Sequence, residues 1–259
     1  MKQRKFQVQK ELKRLDKQEK SFQARRMKKK DSKMNQFLDD KVPEKLQHTL
    51  EKAFVKAFQL IFQKGTGVIE KTFNPEELEK EFQVNSYAHS VHQNKKSLRV
   101  FSKKAKSSGT LNLLVSGGAG VGLGILGIGI PDIALFTGLM LKSIYEIALN
   151  YGYDYNKEEE RKFILLLIRG AVSRKEEFSK IDNQINELIE KENGENLPDI
   201  KQLIEETATA LSDQLLYMKF LQGIPLVGIV GGAYDAVCMK QVTSYVELKY
   251  RRRFYGKIL

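Results

Sequence analysis

Ser107–Pro131 reads SSGTLNLLVSGGAGVGLGILGIGIP, twenty-five residues with no charge and eight glycines. Drawn as one helix it reaches about 37 Å, against roughly 30 Å of bilayer hydrocarbon. Asp132 interrupts it, Ile133–Leu141 is again uncharged as far as Lys142, and the apolar stripe continues through Ile144, Tyr145 and Ala148 to Tyr151, where Gly152 reads as a stop. Gly118 and Gly122, Gly120 and Gly124, and further on Gly228 and Gly232 are spaced by four. That spacing lets two helix backbones approach closely, and in water each such glycine costs up to about 1 kcal/mol against alanine. Two readings follow. Leu111–Leu141 is either a membrane hairpin kinked at Pro131 or the central buried hairpin of a helical bundle. The mean hydropathy of −0.41 and the Asp132 break favour the bundle. Length and the missing charges incline the reading to membrane association.

Working outward, every other periodic segment is helical. Pro43 is placed to open a helix with Leu46, Leu50, Ala53, Phe54, Ala57, Phe58 and Ile61 on one face, ended by Gly65 and Gly67. Asn74-Pro75-Glu76-Glu77 opens a short helix to about Val84, and residues 86–106 continue polar, basic and helical. Glu158-Glu159-Glu160 starts another, carrying Phe163–Ile168. Ser173-Arg174-Lys175-Glu176 has capping-box spacing, Pro198-Asp199 opens the next, and a last helix runs towards Arg251-Arg252-Arg253. No alternating strand pattern with turn signals occurs. The expected fold is all-α, a helical bundle with glycine-rich apolar central helices and a basic N-terminal arm.

That arm dominates the charge. The chain has 259 residues and a net charge of +12; residues 1–33 carry fourteen Lys/Arg and four Asp/Glu, leaving the rest nearly neutral. Val8, Leu12, Leu15 and Phe22 step by four, three and seven, one narrow helical stripe among Lys, Arg and Gln. No apolar run of signal-peptide length accompanies them. The division expected is 1–40 as a basic amphipathic or disordered arm and 41–259 as a helical domain. A single cysteine, Cys238, excludes an intrachain disulfide framework and reads as core.

The motifs name no reaction. Gly122–Gly127 matches G-x-G-x-x-G, but no strand precedes it and no βαβ alternation surrounds it, so a dinucleotide site is rejected. His89 and His92 lack a third ligand and read as surface residues. No metal, cofactor or catalytic motif is found. The candidate functional polar residues are Asp132, Glu146, Asp154 and Asp235, which stand in or beside apolar segments. Asp132 and Glu146 are fourteen positions apart, roughly 21 Å along one helix, too far to work as an acid–base pair. The expected roles are structural: Asp132 caps the helix after Pro131, and Glu146 pairs with a basic residue of a neighbouring helix.

The chain from about residue 68 to 259 resembles the EcsC protein family. The likeness is carried by the run Gly117–Gly129, Ile130-Pro131-Asp132, Ile144-Tyr145-Glu146-Ile147-Ala148, Tyr151-Gly152-Tyr153-Asp154, Ile224-Pro225-Leu226-Val227-Gly228, Gly232 and Tyr250-Arg251-Arg252-Arg253. The family takes its name from the third gene of an operon that encodes an ABC transporter ATPase and its membrane subunit. The resemblance implies a bacterial, helical, membrane-linked accessory protein without an assigned reaction, and leaves residues 1–40 outside.

The expected function is therefore a non-enzymatic, membrane-associated protein on the cytoplasmic face, linked to an ABC transporter. Lys28, Lys29, Lys30, Arg251, Arg252 and Arg253 are the expected contacts to anionic lipid. The alternatives are a soluble helical enzyme with Asp132, Glu146, Asp154 and Asp235 around a cleft, and nucleic-acid binding through the arm. The arm offers only Phe6 and Phe22 for stacking on bases.

Overall fold

The structure, a computed structural model, describes residues 2–27, 43–63, 67–115, 131–191, 197–221 and 233–259. In chain order the helices are α1 (Lys2–Arg26), α2 (Glu44–Gln63), α3 (Gly67–Glu70), α4 (Pro75–His92), α5 (Lys95–Val115), α6 (Pro131–Asn150), α7 (Glu158–Val172), α8 (Lys175–Lys191), α9 (Ile200–Leu221) and α10 (Ala233–Lys257). Among the described residues there is no strand, and the fold is an all-α bundle. The glycine pairs Gly118/Gly122, Gly120/Gly124 and Gly228/Gly232 lie outside the described residues, as do Lys28, Lys29 and Lys30.

Local chemistry sets many of the helix ends. Asn74 takes an extended conformation and its Oδ1 accepts from Glu77 N at 3.2 Å, with Pro75 first in the helix. Asp199 does the same for α9, accepting from Gln202 N at 2.9 Å. The α6 terminus is a Schellman turn: Tyr153 N donates to Ala148 O and Gly152 N to Leu149 O, both 2.9 Å, with Gly152 at φ +78°.

Four expectations need correction. Gly67 opens the short α3 rather than closing α2. α4 runs on to His92, where Gln93 in the left-handed region ends it. Ser173 closes α7, its N–H donating to Arg169 O, and does not cap α8, whose first turn is fastened by Phe178 N on Arg174 O. His89 is buried rather than on the surface, its Nδ1 lying 2.9 Å from Ser97 Oγ of α5.

α10 runs through the middle of the bundle and packs on α1, α5, α6, α7 and α8, while α9 joins α2 to α7 and α6 sits between α2 and α5. Tyr245, Val246 and Tyr250 are fully enclosed. An 18-residue window of α6, Ile133–Asn150, is long and apolar enough to cross a membrane, and 78% of it is buried inside the protein. Its apolar composition is thus already accounted for by its place in the core.

The arm helix packs as a structural element. The stripe read from the sequence is the face that packs: Val8, Leu15 and Phe22 are buried and Leu12 lies against them. Arg26, in the last turn, reaches across to α7, with Nε 2.9 Å from Ser173 O and Nη2 2.5 Å from Val172 O. A guanidinium there satisfies carbonyls left over at a helix C-terminus and sits at the negative end of its dipole.

A basic trough as the candidate functional site

Beneath α1 lies a buried ionic layer that the sequence pattern does not announce. Lys249 of α10, 1% exposed, places Nζ 2.7 Å from Asp182 Oδ1 of α8. Tyr245 OH donates to the same oxygen at 2.6 Å, Gln23 Nε2 of α1 to Oδ2 at 2.9 Å, and Lys249 also donates to Asn186 Oδ1 at 2.7 Å. Burial pushes the Asp182 carboxyl up, but the Lys249 charge and the hydrogen bonds from Lys249, Tyr245 and Gln23 outweigh it and hold the group below its ordinary value. The same burial, beside the Asp182 charge, pushes the Tyr245 phenol up.

The expected lipid contacts at the end of α10 fall into this layer. Arg251 Nη2 lies 3.4 Å from Glu247 Oε2 and donates to Gln18 Oε1; Glu247 also accepts from Tyr151 OH at 2.9 Å. Arg252 holds Glu19, with Nε at 2.9 Å from both oxygens, and reaches Asp16. Arg253 reaches Glu160 Oε2 at 2.7 Å and lies over the Tyr153 and Phe163 rings, while Tyr250 OH donates to Glu160 Oε1. Arg251, Arg252 and Arg253 therefore tie helices together. Arg252 and Arg253 stay 27% and 26% exposed, and Arg251 also lines the grooves along α1.

Of the candidate carboxylates, the side chains of Glu146 and Asp154 are described. Glu146 is buried on α6 and lies 3.8 Å from Lys142, one turn earlier on the same helix. Lys142 also donates to Thr72 O at 3.0 Å. Asp154 is exposed in the turn after α6 and accepts from Asn156 N at 2.9 Å. Asp132 is the second residue of α6 and Asp235 the third of α10, and their side chains lie outside the described residues. Neither Glu146 nor Asp154 lines the two grooves along α1. Among the described residues no three His, Cys, Asp or Glu are grouped to hold a metal.

What the fold does assemble is a basic trough along α1. One groove of about 610 Å³ is walled by Lys17, Phe22 and Arg25 of α1, Lys106 of α5, and Lys240, Glu247 and Arg251 of α10. A second, of about 870 Å³, adjoins it between α1 and the start of α5, and Gln18, Lys106 and Arg251 line both. Five basic side chains line the first and seven the second, two of them shared. Each groove contributes one carboxylate, Glu247 and Glu11. The charge of the arm was legible in the sequence. Its partners, Lys95, Lys96, Arg99 and Lys103 of α5, were visible only as a polar basic helix with nothing to place them opposite α1.

The EcsC protein family model matches residues 7–254. The chain belongs to the EcsC protein family. The match begins inside α1, which corrects the expectation that the basic arm lies outside the family unit and agrees with the packing of α1 on α10. The chain is also 26% identical over 137 residues to the uncharacterized protein YdbA of Bacillus subtilis (strain 168), covering 52% of this chain and 50% of that protein. It thus spans about half the length of the curated relative it matches. No solved structure matches this EcsC chain.

Proposed function

We propose that this EcsC-family protein is a non-enzymatic helical accessory protein that seats on the anionic, cytoplasmic face of the membrane through the trough between α1, α5 and α10. The observation that carries this reading is the charge of that trough, in which basic side chains far outnumber carboxylates across two adjoining grooves. Each Lys or Arg near such a surface contributes about 1 kcal/mol, and salt screens it. Val84, Tyr87 and Val91 give a second support. They step by three and four along α4 and are 65%, 74% and 59% exposed, an apolar face with an amphipathic ring of the kind that settles at headgroup level. The family resemblance points to a membrane transporter as the partner, which such a seat would bring within reach.

The test is sedimentation of the full chain with phosphatidylcholine vesicles, with and without phosphatidylglycerol. Binding is expected only to the anionic vesicles, falling steeply with salt and weakened by Lys17→Glu with Lys240→Glu. In cells the protein should pellet with membranes and leave them in a high-salt wash. Equal recovery with neutral and anionic vesicles would overturn the reading.

A further inference from the structure

Glu11 of α1 holds two guanidiniums at once. Arg14 Nη1 donates to its Oε1, and Arg99 Nε of α5 lies 3.2 Å from its Oε2. The Glu11 side chain is 8% exposed, while Arg14 and Arg99 are 41% and 47% exposed. One sunken carboxylate thus anchors two cations whose outer edges remain open to the 870 Å³ groove that they line. Lys95, the first residue of α5, lines the same groove. The charge of Arg14, and then that of Arg99, lowers the pKa of the Lys95 ammonium, although Glu11 opposes them. Helix starts ordinarily gather carboxylates, which suit the positive end of the dipole. Here three cations meet there against one carboxylate, an arrangement that costs the free protein repulsion and repays it only when an anion is bound.

We infer that the Arg14–Lys95–Arg99 cluster, positioned by Glu11, is a binding site for a doubly charged phosphate group, a phosphomonoester or a pyrophosphate, carried by a lipid headgroup or free in solution. Two planar guanidiniums offer paired N–H donors that match phosphate oxygens, and the ammonium adds a third charge. A phosphodiester, with one charge, leaves much of that positive potential unbalanced. The groove is roomy enough for a phosphorylated headgroup. The inference deepens the membrane reading, on which it rests for the lipid source of the ligand.

The experiment uses the full chain in two arms. Calorimetry with inorganic pyrophosphate reports the free ligand. Sedimentation compares vesicles containing phosphatidic acid with vesicles whose phosphatidylglycerol content is raised until the surface charge is equal. Preference for phosphatidic acid by about tenfold or more is expected, lost in Arg14→Gln with Arg99→Gln and kept in Lys45→Gln with Lys201→Gln, exposed lysines outside both grooves. Lys95→Gln, which leaves the Glu11 contacts in place, should lose it too and guards against misfolding of the double variant. Heat with pyrophosphate identifies a free source, and preference in vesicles alone a lipid one. Equal binding to both charge-matched vesicles with no pyrophosphate heat overturns the inference and leaves the membrane seat standing. Pyrophosphate binding without vesicle binding supports the site and removes the membrane seat.

Discussion

Phe22 of α1 stacks on Tyr245 of α10 with ring centroids 4.9 Å apart and planes 29° apart, and Phe178 of α8 closes against both. The basic arm therefore reaches the centre of the bundle. Phe22→Ala should cost about 3–5 kcal/mol, and Leu15→Ala about 2–5 kcal/mol, as buried side chains do when their space cannot collapse. Removing residues 1–27 would strip Glu19 and Asp16 from Arg252 and uncover Tyr245 as well, so the shortened chain should melt far below the full one and without a sharp transition. An unchanged melting curve for Phe22→Ala would show that α1 is no part of the core.

The legibility of this fold was local. Asn74 and Asp199 were readable as helix starts because a cap and its target lie three residues apart. The stripe of Val8, Leu12, Leu15 and Phe22 was readable as a buried face, but periodicity says which side is apolar and not what covers it. The pattern left the cover open between lipid and nucleic acid, and the structure supplies α10. The ionic layer of Asp182, Lys249, Glu160 and Arg253 was invisible for the same reason: the two members of each pair sit on different helices, and each looks like an ordinary surface charge on its own. His89 was misplaced because the polar, basic stretch around it reads as solvated, whereas α4 reaches His92 and sets His89 Nδ1 2.9 Å from Ser97 Oγ of α5.

Gly152 is the one described glycine where backbone and space agree. Its φ of +78° suits glycine, and a Cβ there would lie 2.3 Å from Phe82 Cζ. Gly152→Ala should cost about 1–3 kcal/mol from the left-handed conformation and the forced shift of the ring. Adding Phe82→Leu makes room for the methyl group but leaves the dihedral strain. The double variant should therefore cost less than the sum of the two single ones, and thermal melts of the three proteins give the comparison. Strict additivity would show that the ring already moves freely.

The buried pair of Lys249 and Asp182 predicts an asymmetry. Lys249→Met strands a carboxylate among Tyr245, Gln23 and Asn186, and should cost about 3–5 kcal/mol. Replacing both members, with Asp182→Leu added, removes the orphaned charge and should recover a large part of that loss, since a buried ion pair exchanged for packed apolar side chains is often neutral. Urea unfolding of the single and double variants measures the coupling. A double variant less stable than Lys249→Met alone would show that the remaining hydrogen bonds, and not the charge pair, hold α8 to α10.

Asp182 and Asp213 should bend the stability curve in opposite directions with pH. Burial, then the charges of Glu51 on α2 and Glu177 on α8, push the Asp213 carboxyl up to about 6 from its ordinary 3.8. Folded protein therefore takes up a proton there that unfolded chain does not, and stability should rise as pH falls from about 6 to about 4. Asp182 runs the other way. Its folded value lies below 3.8, so its contribution is complete above that value and is lost as pH falls through the lower folded value. Asp213→Asn keeps an oxygen for Gln47 Nε2, which donates to Oδ1 at 3.2 Å, and removes a charge held unfavourably near neutral pH. It should stabilise the neutral protein by about 1–2 kcal/mol after solvent screening, and flatten the rise between about pH 6 and 4. Asp182→Asn should instead destabilise at neutral pH and flatten the loss below about pH 4. Urea midpoints for the three proteins across that range separate the two groups. An Asp213→Asn variant no more stable than the parent at neutral pH would mean that the carboxylate is solvated there and that Glu51 and Glu177 exert no strain on it.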